Sequence, residues 1–223
     1  MGTILLTGAN SSLALPTIRH LLTTYPTYTL LLTIRNTSPA DPNTSQLLTL
    51  LATFPAAKYS LSSLDLSSLS SIASFANETH AAISTGRLPR LTTIICNAFF
   101  WSLTSGLQLS ADGYERSMAV NHIGHLALTL RLLRDVEPTA RIVLLSSEAH
   151  VPGKAGFEQF PPELPPPQAG LDRLVHPAGD RPGEEAGRGF QRYGLSKLAV
   201  VMGGYALQRR LEKVGPLFPL PRA

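Results

Sequence analysis

The chain has one cysteine, Cys96, so no disulfide can form within it, and a reducing, cytoplasmic setting is expected. Its apolar runs, such as residues 30–32, stop far short of the ~18–20 residues that a membrane span needs. No membrane span is expected. A basic segment leading into an apolar core and a small-residue cleavage site is also missing from the N-terminus, so no signal peptide is expected. Lys and Arg outnumber Asp and Glu by 19 to 15 without forming a stripe, which argues against a nucleic-acid partner. Arg209, Arg210 and Lys213 do cluster, where they suit a helix C-terminus. His122 and His125 share a helix face but have no evident third ligand, so no metal is expected. Glycine is scarce where it would matter most: "TGANSSLA", residues 7–14, holds only Gly8.

With 223 residues and 43% hydrophobic content, the chain can bury one sizeable core, and one domain over residues 1–214 is expected. Short β-rich runs at 3–7, 28–34, 58–61, 91–96 and 140–145 alternate with helical patterns at 13–24, 44–51, 66–84 and 111–136. That alternation predicts βαβ units and a parallel sheet. Residues 151–189 hold 8 of the 18 prolines and 7 of the 17 glycines, which predicts a long loop before a last helix over 191–214. Three prolines in residues 215–223 predict an irregular tail rather than a strand.

A strand running into Thr7-Gly8-Ala9-Asn10-Ser11-Ser12 and then a helix offers free backbone N–H groups and a positive helix end to phosphate. An ordinary turn capped by Ser11 or Ser12 is the plainer alternative. Arg35 ends the second strand, where an arginine favours the 2′-phosphate of NADP and an acidic residue would favour NAD. Tyr193 and Lys197 stand four apart, on one face of a helix. A tyrosine hydroxyl ordinarily titrates near pH ~10, and an adjacent ammonium favours the phenolate, so such a pair can pass a proton to or from a carbonyl oxygen. Phe99, Phe100 and Trp101 read equally as core or as a wall of an apolar substrate pocket.

Taken in order, the phosphate loop, Asn121 in "NHIGH", the strand-end serines of "RIVLLSS" and the "YGLSK" pair resemble the short-chain dehydrogenase/reductase family over about residues 3–214. "DGYERSMAVNHIGH" is similar to its retinol-dehydrogenase and WW-domain-oxidoreductase branch. The resemblance implies a three-layer, doubly wound α/β fold of Rossmann type. It also implies an NADP(H)-dependent oxidoreductase that interconverts a carbonyl and an alcohol on a lipophilic small molecule. On this resemblance Tyr193 is the general acid/base, and Lys197 binds the nicotinamide ribose and tunes the tyrosine. Ser147, in preference to Ser146, meets the substrate carbonyl, and Asn121 holds a water. Thr7, Gly8, Asn10, Ser11, Ser12 and Leu13 form the phosphate loop, with Ser12 and Ala14 where the family has glycines. Asp65 and Leu66 lie against adenine, and Asn97 and Ala98 belong to the segment matching the family's NNAG, here "CNAF". A homodimer through the helices over 111–136 and 191–214 is implied.

In the family, further strands, a Pro-Gly turn and a substrate lid follow the Tyr/Lys helix, whereas 26 residues follow Lys197 here. The expectation is therefore a sheet that lacks the usual last strands. The alternative to an active enzyme is a truncated, catalytically silent NADP-binding or interaction remnant.

Overall fold

The computed structural model describes residues 2–164, 166 and 170–214. Five parallel strands lie in the order β3-β2-β1-β4-β5: β1 (Thr3–Thr7), β2 (Thr29–Ile34), β3 (Lys58–Ser63), β4 (Leu91–Cys96) and β5 (Val136–Leu144). Helices cover both faces, as the alternating pattern requires: α1 (Ala14–Thr24), α2 (Pro42–Ala52) and α3 (Leu69–Ser84), then α4 (Arg116–Met118) and α5 (His125–Leu132). Between α4 and α5 the chain makes a wider π-helical turn, Ala119–Gly124. A short α6 (Asp172–Val175) and a 30-residue α7 (Glu185–Val214) complete the described helices.

All five residues of β1 are buried because both faces of this central strand are covered. Its side chains alternate between two cores. Ile4 and Leu6 pack with Ile18 and Leu22 of α1 and Leu47 and Leu51 of α2. Leu5 packs on the other face with Ile72 and Phe75 of α3 and Leu128 and Leu132 of α5. Each such side chain contributes about 1.5–3 kcal/mol by leaving water. Helix starts are capped as the sequence dictates: Asp41 accepts the Thr44 N–H at 2.8 Å, and Ser68 accepts that of Ser71 at 3.3 Å.

Three boundaries differ most from expectation. The helix expected over 111–136 begins only at Arg116, because the Glu115 carboxylate caps it by accepting the Ser117 and Met118 N–H groups at 2.9 and 2.7 Å. It ends early as well, since Glu137 precedes Pro138 and is steered to extended backbone, so β5 already starts at Val136. The loop expected over 151–189 contains α6 and the first turn of α7. Gly187 and Gly189 hide that turn from a propensity reading. A Cβ at 189 would clash with the Ser102 carbonyl oxygen, so loop and helix backbones touch there, and one at 187 would crowd the Gln159 and Phe160 side chains. The expected irregular tail, 215–223, lies outside the described residues.

A buried charge cluster fastens this loop to the rest. Arg192 of α7, 7% exposed, pairs through both terminal nitrogens with Asp180 of the loop, Nη2 to Oδ2 at 2.9 Å. Its Nε lies 3.8 Å from Oε1 of Glu115, the cap of α4. The start of α4, the long loop and α7 thus share one guanidinium. Arg192→Leu leaves two buried carboxylates without a counter-charge, and urea unfolding should show a loss of about 3–5 kcal/mol.

Candidate active site

The strand order reverses between β1 and β4, and at such a switch point loops diverge to leave a crevice at the carboxyl ends of the strands. Gly8 leaves β1 with φ +65°, and a Cβ there would come within 2.9 Å of Ala98 Cα. Only glycine fits this position. Ser11 then caps α1, its Oγ accepting the Ala14 N–H at 3.2 Å, and no acidic side chain stands in the first turn to repel an anion.

Thr7 ties the crevice together. Its Oγ1 accepts the N–H groups of Asn97 and Ala98 at 3.0 and 3.1 Å and lies 2.9 Å from Nε2 of His125. Nδ1 of His125 lies 3.2 Å from the Asn121 carbonyl oxygen, which can only accept, so the proton sits on Nδ1 and Thr7 donates to Nε2. Every hydrogen in this buried chain is used. Asn97 adds a second clamp, its amide nitrogen reaching the carbonyls of Thr7 and Gly8 at 2.8 and 3.1 Å and Ser11 Oγ at 3.2 Å.

A cleft of about 350 Å³ opens above this network, lined by Gly8, Asn10, Ser11, Arg35, Asp65 and Phe99 among others. Leu66 and Ala98 also line it, whereas Ser12 and Leu13 stand exposed at the start of α1, outside the lining. Asp41 shares the cleft with the exposed Arg35, and its bond from the Thr44 N–H holds its carboxyl below the usual range. Asp65 spends one oxygen on Ser67, accepting its N–H at 2.8 Å and its hydroxyl at 2.6 Å. Asn97 spends its amide on the loop and so positions the cleft rather than lining it.

Beyond Phe99 the floor of the site belongs to α7. Lys197, 3% exposed, donates from Nζ to the Leu145 carbonyl at 2.9 Å and lies 5.7 Å from the ring centres of both Tyr193 and Phe99. Burial lowers its pKa to about 8. Gly194, inside the Tyr/Lys spacing, admits the Ala149 carbonyl, which a Cβ would meet at 2.5 Å. Asn121 lies in the π-helical turn, a distortion common at functional sites. Its side chain accepts the Phe100 N–H at 2.7 Å and donates to the Phe100 carbonyl at 2.9 Å and to Ser196 Oγ at 2.8 Å. The two strand-end serines differ. Ser146 donates its hydroxyl to the Lys197 carbonyl at 3.0 Å, whereas Ser147 accepts the Ala149 N–H at 3.3 Å and keeps its own hydrogen uncommitted. Phe99 and Trp101 are 48% and 39% exposed, so they form a wall rather than core.

No protein-family model matches the chain. A short-chain dehydrogenase of Talaromyces variabilis, iccH, is 26% identical across 95% of this chain and 65% of its own length. The chloroplastic short-chain dehydrogenase TIC 32 A of Brassica napus is 34% identical across 74% of this chain and 46% of its own. The chain belongs to the short-chain dehydrogenase/reductase family. Among solved structures, an uncharacterised protein of Mycobacterium paratuberculosis superposes with a TM-score of 0.70 at 27% identity, covering 96% of this chain and 64% of that one. The NADPH-bound carbonyl reductase from chicken fatty liver shares the fold, with a TM-score of 0.62 at 19% identity over 96% of this chain and 75% of that one. The chain thus spans about two thirds of the length of the first curated relative. Within this family frame, His125, Arg192 and Ser196 are the site residues the motif reading passed over. The one signal for His125 was its i, i+4 spacing from Asn121, which places the ring beneath that carbonyl.

Burial pushes the His125 pKa down to about 4. Between the ordinary value near ~6.5 and that figure the unfolded chain binds more protons, so stability falls as pH drops through the window. Urea midpoints of His125→Phe should fall less steeply from pH ~6.5 to ~4 than those of the native chain, with a residual slope from the buried His122, also shifted down. An unchanged slope would contradict the neutral, bridging role.

Proposed function

We propose that residues 1–214 form the nucleotide-binding, proton-transferring domain of an NADP(H)-dependent oxidoreductase that interconverts a carbonyl and an alcohol on a lipophilic small molecule. The observation that carries this is the buried Lys197 ammonium facing Tyr193, 5.7 Å from its ring centre and as far from that of Phe99, which lines the cleft. Positive charge in that place favours loss of the tyrosine proton and an anion on the substrate oxygen. Four further features support the reading: the glycine-permitted approach at Gly8, the α1 N-terminus without acidic residues, Arg35 at the end of β2, and the cleft joining them.

Bound in the cleft, a nicotinamide supplies or accepts a hydride. Ser147, with its hydroxyl hydrogen free, holds the substrate oxygen. Tyr193 gives that oxygen its proton in reduction and takes it back in oxidation. Lys197 keeps positive charge beside the tyrosine below its pKa of about 8. Asn121 fixes the 97–101 segment against α7 through Phe100 and Ser196, which keeps Phe99 and Tyr193 in register. The chicken carbonyl reductase with NADPH bound has the same fold, and that likeness supports the choice of NADP(H). The reading includes a cytoplasmic setting and a homodimer. Leu130 of α5 and Met202 and Tyr205 of α7, 49%, 50% and 62% exposed, supply apolar surface on the helices expected to pair.

Tyr193→Phe should abolish carbonyl turnover with NADPH and leave calorimetric NADPH affinity within about twofold. Binding by the native chain without turnover would move the reading to a silent cofactor-binding protein. Arg35→Asp should reverse the preference from NADPH to NADH by at least tenfold in binding affinity, and an unchanged ratio would remove Arg35 from the phosphate site. Light scattering at micromolar concentration should return twice the chain mass. A monomer mass would refute the homodimer.

A further inference from the structure

Resting on the reading of Tyr193 as the proton donor, we infer that the substrate is a planar aromatic carbonyl compound, held by ring stacking against a wall built from Trp101, Phe157 and Phe99. Trp101 is the centre of this wall. Its ring centre lies 5.5 Å from that of Tyr193, 6.2 Å from Phe190 and 6.4 Å from Phe157, and Phe99 lies 6.3 Å from Tyr193. The five rings come from three separate segments: the stretch after β4, the long loop, and α7. All converge on the one tyrosine that can exchange a proton.

Two features distinguish this wall from a core. Phe190 is 5% exposed and serves as the buried pin, whereas Phe99, Trp101 and Phe157 are 48%, 39% and 66% exposed. Their interplanar angles to neighbouring rings run from 52° to 71°, so the wall presents ring edges and ring faces by turns. A further flat ring can continue that tilted and edge-to-face pattern, and each such pair favours binding about 2- to 10-fold beyond what apolar area alone gives. A saturated skeleton of the same size gains only the area. Continuity sets the occupant's position, since Phe99 lines the cleft and its ring centre lies 6.3 Å from that of Tyr193, so a ring stacked beyond Phe99 lies beside the tyrosine. One cation faces the ring cluster, Lys197, whose Nζ lies 5.7 Å from the ring centres of Phe99 and Tyr193 and donates to the Leu145 carbonyl, while Arg116 faces Phe100 and Arg188 faces Phe160 outside the cluster.

The test compares 2-acetylnaphthalene with its ring-saturated counterpart, 2-acetyldecalin, on NADPH-saturated protein. Calorimetry and KM should favour the naphthyl ketone by at least tenfold. Trp101 is the chain's one tryptophan, so its emission should be quenched on binding, which makes docking visible without turnover. Trp101→Leu and, on the exposed loop, Phe157→Leu should each bring the preference down by severalfold, while Trp101→Phe retains most of it. NADPH affinity should stay the same in all three. Equal affinity for the two ketones, or a preference untouched by both leucine variants, overturns the inference. Quenching and a tenfold preference without any turnover would uphold the wall and sink the catalytic reading, whereas turnover of both ketones with equal KM would do the reverse.

Discussion

One hydroxyl group holds the architecture of the site in place. Thr7 Oγ1 accepts from the first two residues after β4 and donates to His125, whose other nitrogen grips the carbonyl of Asn121. A hydroxyl has one hydrogen and two lone pairs, and all three are spent in a dry environment where any unmet partner would cost about 1–3 kcal/mol. The strand ends that diverge to make the crevice are therefore bolted together at its base, and the helix carrying Asn121 is bolted to both. Valine would fill the space of Thr7 and leave the Ala98 N–H and Nε2 of His125 without partners.

Much of this frame was legible in the sequence, because hydrophobic period and turn chemistry are local signals. β1 and β4 were read at their observed bounds, and α1 and β2 within a residue. The clustering of Thr7, Gly8, Ser11, Asn97 and Ala98 followed from motif order, and so did the shared face of Tyr193 and Lys197. What the sequence concealed was long-range. Arg192 is an unremarkable helix arginine until Asp180 of the preceding loop and Glu115, remote in the chain, close on it. Gly187 and Gly189 lower helix propensity and so masked the first turn of α7, where contact with the loop backbone outweighs propensity. His125 offered only a spacing, since the partner that gives it meaning lies more than a hundred residues earlier.

The same site shows where the fold carries a cost. Lys197 is an ammonium kept almost wholly out of water with a single carbonyl partner, and its lowered pKa records the penalty. A methionine of similar length would carry no such desolvation cost. Strain of this kind is characteristic of a place where charge is wanted for chemistry rather than stability.

The Arg192 cluster also gives the molecule an uneven response to its ionic surroundings. Mobile ions screen fields only where they can reach them, over a Debye length near 8 Å at physiological strength. Arg192 and its two carboxylates lie beneath the surface, beyond counterion access, whereas Arg35 stands in the open at the cleft mouth. Concentrated salt would thus weaken attraction at the mouth while leaving the long loop fastened. The loop and the cleft answer to different variables, so the wall beside Tyr193 keeps its shape under conditions in which the opposite end of the cleft has lost much of its pull on an anion.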